Sequence, residues 1–181
     1  MLKDGDKMNW LWYILIYSFL GFLLEICYAR GIGAEKQDRK CLLVLPLCPV
    51  YGLGALGILS LPEGIVTRPW LLMPTAIVVA TVTEYGMGWF YERFWHVSFW
   101  DYRNLPWNVH GRVCLLFSLA WGLLSLPLVY WVHPLVMVMV QGLPEPLLAG
   151  LVTGFLADWF ISGYLLRRTG ETEVLRWYSG A

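Results

Sequence analysis

The chain has 181 residues, of which 58% are hydrophobic and only 14% charged, with thirteen Lys and Arg against thirteen Asp and Glu. Soluble domains carry about 25% charge, so the composition excludes an ordinary soluble protein, and zero net charge leaves no global field for a nucleic-acid partner. Eleven Trp and ten Tyr suit a membrane–water boundary; the expectation is an all-α polytopic membrane helix bundle, one integral domain over residues 1–181, with the lipid bilayer as its first partner.

The first apolar run, residues 9–28, follows Lys3 and Lys7 as a signal peptide would. It is long, contains Glu25 and lacks a small-x-small cleavage pattern, so it reads as a retained first helix. Further runs cover residues 42–61, 71–90, 113–131 and 147–166, each long enough to cross about 30 Å at 1.5 Å per residue. The second run is irregular. Pro46 and Pro49 stand three apart and are followed by Gly52 and Gly54, and each interior Pro removes a backbone hydrogen bond. Either broken backbone lines something polar at membrane depth, which protein or water must satisfy, or a loop ends at Pro49 and the helix starts there. After the third run comes the most aromatic stretch, residues 89–107, interleaved with Glu92, Arg93, His96, Asp101 and Arg103, then Asn108 and Arg112. It reads as an interfacial anchor, or as a folded lid whose Asp101 and Arg112 complete a buried polar cluster. Residues 133–141 are too short to span, so they form an interfacial turn or a tail of the fourth helix; His133 before Pro134 is expected to end that helix, and His133 and His96 are expected at the interface. In the fifth run, Gly150 and Gly154 make a G-x-x-x-G face for packing, most simply within the chain.

Ten Lys and Arg fall in loop one (residues 29–41), loop three (residues 91–112) and the tail, against three at the N-terminus and in loop two (residues 62–70). The positive-inside rule then puts the N-terminus outside and residues 167–181 in the cytoplasm as a tail. Glu25, Glu84 and Asp158 sit inside apolar runs, at a cost of roughly 2.5–3.5 kcal/mol each. With five spans they share the cytoplasmic half of the bilayer, within reach of Arg39, Arg93 and Arg112. Arg112 can hold a carboxylate in a bidentate pair, with Glu25, Glu84 and Asp101 as its candidate partners. Asp158 lies deeper and has no assigned partner.

Cys27, Cys41, Cys48 and Cys114 form no C-x-x-C pair and have no His at ligand spacing, so they read as small buried hydrophobes, and neither metal nor cofactor is expected. No G-x-x-x-x-G-K-[ST] run is present, so any ATP hydrolysis belongs to another chain.

Several motifs stand together in order: residues 17–25 ending in Glu25; Pro46-Leu47-Cys48-Pro49-Val50-Tyr51-Gly52; Glu84 with Gly88; Trp100-Asp101-Tyr102; Asn108-Val109-His110-Gly111-Arg112-Val113-Cys114; then Ser118, Trp121 and Gly122. Over residues 10–135 the chain resembles the bacterial CmpB-like family, named as putative type IV ABC-transporter permeases. The chain departs from that pattern at Leu45, where the family usually has Gly, at Phe99, and at Arg103 beside Asp101. The resemblance implies a multi-pass membrane protein with a permease label. Three functions stay open: transport along a path through the polar cluster, with a homo-oligomer or a separate ATPase subunit completing it; a structural or regulatory subunit whose cluster only fixes helix packing; and a membrane-embedded enzyme acting on a lipid or amphiphile, for which Ser18, Ser118, Cys48 and Cys114 supply no clear nucleophile–base pair.

Overall fold

The structure, a computed structural model, describes residues 9–34 and 40–176. It is an all-α bundle with four helices long and apolar enough to cross a membrane: Asn9–Gly31, Pro69–Trp95, Leu115–Gln141 and Glu145–Thr169. The elements are α1 (Asn9–Gly31), α2 (Pro49–Leu59), α3 (Glu63–Val66), α4 (Pro69–Phe90), β1 (Asn108–Val109), β2 (Val113–Cys114), α5 (Leu115–Pro127), α6 (His133–Gln141) and α7 (Glu145–Thr169).

The second expected span is only half helical. Helix α2 has eleven residues and begins at Pro49, where a missing N–H costs nothing because the first turn has no acceptor for it. Residues 40–48 precede it without helical structure, since Pro46 and Pro49 cannot both sit inside a continuous helix. Contacts between helices fix alternating directions: Gly21 and Glu25 of α1 meet Tyr51 at the start of α2, while Ile14 and Ser18, earlier in α1, meet Gly52. Helix α2 therefore runs back along α1, α4 returns, α5 and α6 go out, and α7 comes back beside residues 43–45.

The fourth long helix does not end at His133-Pro134. Pro127 closes α5, residues Leu128–Val132 wind as a π turn, and α6 starts with Pro134 in its first turn. The wider i→i+5 winding absorbs the acceptor that Pro134 leaves empty, so the rod continues. The expected tail of helix four is thus a full extension of it, and His133 is buried in the main core rather than interfacial. A second π turn, Tyr91–Trp95, prolongs α4 and ends at His96 with φ 59°.

Helix α7 docks on that π turn through Trp159 and Trp95, whose ring centroids are 4.6 Å apart, and through Gly163, whose missing side chain leaves room for the Trp95 indole. Its Gly150 and Gly154 have nothing within 4 Å of an added Cβ among the described residues, so the expected contact within the chain does not form there.

Helices α1 and α2 pack closely against each other. A Cβ on Gly52 would lie 2.5 Å from the Ile14 carbonyl oxygen, and one on Gly21 would enter the Tyr51 ring. Gly52→Ala is expected to destabilise the protein by about 1–3 kcal/mol, because backbone must move to admit the methyl. Gly54→Ala, with open space around it, is expected to be neutral or slightly stabilising. Thermal unfolding of both variants in one detergent checks the contrast.

Candidate functional site

The end of the bundle where α1, α4 and α7 finish carries three polar groupings. The innermost joins two of the acids. Glu84 on α4 is 6% exposed, and each of its oxygens accepts one neutral donor: the Tyr102 hydroxyl at 2.8 Å and the Trp121 indole N–H at 3.1 Å. Glu25 on α1 accepts the Tyr51 hydroxyl at 2.5 Å. The Tyr51 and Trp121 rings meet edge to face at 5.1 Å, and Tyr102 stacks on Phe117. Glu25, Tyr51, Trp121, Glu84 and Tyr102 thus form one contiguous group drawn from α1, α2, α4, α5 and loop three. Close by, Thr81 donates to Ser118 at 2.8 Å, tying α4 to α5.

The second grouping holds Asp158. Its carboxylate accepts the backbone N–H of Val44 at 3.0 Å and of Leu45 at 2.6 Å, while Ser162 one turn on accepts the N–H of Leu43 at 2.9 Å and donates to Asp158. The partner missing from the sequence is therefore the backbone of the non-helical segment itself. Residues i and i+4 of a helix share a face, so α7 offers both acceptors in one row to three successive amides.

The third grouping lies outward, in loop three. Arg112 donates through Nε and Nη2 to Glu92, at 2.9 and 2.5 Å, and through Nη1 to the Tyr85 hydroxyl at 2.9 Å. Glu92 holds the Arg112 guanidinium above its ordinary range. The expected pairing of Arg112 with Glu25, Glu84 or Asp101 does not form. Asp101 is exposed and pairs with Arg103 two residues on, which keeps its carboxyl below the usual range. Neither residue completes the inner group; Tyr102 between them does. Its hydroxyl is pushed up by burial first and by the Glu84 charge second.

Asn108 and Gly111 build the frame. The Asn108 side chain donates to the Leu105 carbonyl and accepts the Gly111 N–H, which closes the β1–β2 hairpin. Gly111 adopts φ 72°, and a Cβ there would press on Arg103 and Asp101. The Trp100 indole donates to the Arg112 carbonyl at 2.7 Å, and Cys114 is buried where β2 passes into α5. His110 shares a hydrogen bond with Tyr85 rather than with a cysteine. An open depression of about 500 Å³ lies on this outer face, lined in part by Glu92, His96, Asp101, Arg103 and His110. Arg39 lies outside the described residues.

Sequence reasoning named Tyr51, Tyr102 and Trp121 as motif residues without seeing that they are the donors to Glu25 and Glu84. It missed Ser162, Tyr85 and Glu92 as partners. The i,i+4 spacing of Asp158 and Ser162 was the one available signal.

A family model described as "Putative ABC-transporter type IV" matches residues 12–164. The match continues past residue 135 through most of α7 and takes in Asp158. No curated protein and no solved structure matches the chain.

The Asp101–Arg103 pair yields a pH expectation. A carboxyl held low in the folded state stabilises it above the ordinary range near pH 4, and that contribution is lost as pH falls through the lowered value. Being exposed, the pair is screened and its effect small. The unfolding midpoint of Asp101→Asn should fall slightly below wild type at pH 7, and the difference should shrink as pH falls below about 4.

Proposed function

The chain belongs to the "Putative ABC-transporter type IV" family, and on that premise we propose that it is the membrane-spanning permease component of a transport assembly whose ATPase is a separate chain. The absence of a G-x-x-x-x-G-K-[ST] run in the sequence supports the division of labour. The observation that carries the reading is Glu84: buried, held by two neutral donors, and without an ion pair among the described residues. A carboxylate removed from water and not matched by a cation retains strong attraction for positive charge. The inner group is therefore read as the place where a cargo's cationic group, or a proton, binds on its way through.

Four long helices and one half-helix enclose little space, so the path is completed by a second copy. The lipid-facing row of α7 with Gly150 and Gly154 suits such a contact, since small residues let helices approach closely. The cationic bias of loop one, loop three and the tail supports a cytoplasmic location for the end that carries the inner acids, with the N-terminus outside. Ring-sharing donors from loop three and α5 also favour a second reading, in which Glu84 only locks the loop onto the helices.

Glu84→Gln separates the two. It keeps the shape of the side chain and one acceptor oxygen. On the transport reading, purified variant and wild type have equal folded yield and unfold within about 1 kcal/mol of each other, while flux of protons or of small organic cations into proteoliposomes drops at least tenfold. If the variant instead aggregates or unfolds far below wild type, or carries cations at the wild-type rate, Glu84 is a packing element.

A further inference from the structure

Where residues 40–48 meet α2, two cysteines face each other. The thiols of Cys41 and Cys48 are in contact at 3.1 Å, about 1 Å farther apart than in a disulfide. Cys41 is 7% exposed and Cys48 1%. Cys48 is the N-cap residue of the eleven-residue α2. Beside them, Tyr91 is fully buried, and among the described residues its hydroxyl has no hydrogen-bond partner.

We propose that Cys41 and Cys48 form a site of reversible oxidation in which a hydroperoxide converts the pair to a disulfide. The Cys41 sulfur attacks the peroxide, takes one oxygen to become a sulfenic acid, and releases water or an alcohol. The Cys48 sulfur then attacks the sulfenic sulfur: the S–S bond forms, the S–O bond breaks, and the departing hydroxide takes the Cys48 proton as water. Cys41 reacts first because it is the more exposed, and Cys48 needs no access to solvent because its partner is already in contact. The new ring encloses the amides of residues 43–45 and ends at the start of α2, so oxidation ties the non-helical segment to the helix that brings Tyr51 to Glu25. The site stands independently of what the assembly transports.

The full chain in lipid nanodiscs, treated with hydrogen peroxide and digested without reductant, tests this by mass spectrometry. The expected product is a Cys41–Cys48 link, lighter by two hydrogens and reversed by a thiol reductant, with Cys114 unchanged. In Cys48→Ser, dimedone traps a sulfenic acid on Cys41; in Cys41→Ser it traps none on Cys48. The proposal is overturned if both thiols stay alkylatable after peroxide while Cys27 oxidises, or if the sulfenic acid appears on Cys48. The wild-type digest decides the matter even if a serine variant fails to fold.

Discussion

Backbone amides inside an apolar layer must find acceptors, and in this protein the demand falls on residues 43–45. Two prolines deny these residues a helix, and lipid offers nothing in exchange. Asp158 and Ser162 supply the acceptors from α7. Each unmet amide would cost about 1–3 kcal/mol even in a protein interior, and a charged acceptor makes the stronger bond. With three amides satisfied, the apparent expense of Asp158 becomes the condition for everything that follows. The segment ends at Pro49, α2 starts at that depth, and Tyr51 falls into the notch left by Gly21, with its hydroxyl on Glu25.

From there the polar residues separate into two kinds. The outer charges pair off: Arg112 with Glu92, Asp101 with Arg103. These contacts, with Asn108 and Gly111, shape the hairpin that delivers Tyr102. The inner acids sit among aromatic donors instead. A guanidinium beside Glu84 would neutralise it; a tyrosine and a tryptophan orient it and leave its charge unmatched. On the proposed transport function that arrangement has a use, since acids inside membrane segments commonly mark the routes of cations and protons.

Much of the frame was legible in the sequence, because apolar length and proline chemistry are local properties. The helical class and the break in the second span follow from counting residues and noting where helices stop. The failures have one cause: they depend on partners or windings that carry no letter. Asp158 pairs with backbone, which is the same at every position. Glu92 sits in the π turn Tyr91–Trp95, so its direction does not follow the 3.6-residue period that sequence reasoning assumes. His133 was expected to end a helix because Pro134 follows it, but the π turn at Leu128–Val132 carries the rod onward and buries the ring against Tyr13 and Tyr17. Arg112 was matched to acids by depth alone, and depth does not say which side of a helix an acid faces.

The account stands on the acceptors that α7 gives to the broken segment. Amide hydrogen exchange of wild type and Asp158→Ala in nanodiscs measures this directly. The amides of Val44 and Leu45 should be protected in wild type as strongly as those within α2, and in the variant they should exchange faster by a factor of ten or more, as expected for losing one or more hydrogen bonds of about 1.4 kcal/mol each, with protection falling at the start of α2 as well. If those amides exchange freely in wild type, or stay equally protected without Asp158, the broken segment is held by something else and the placement of Tyr51 on Glu25 loses its cause.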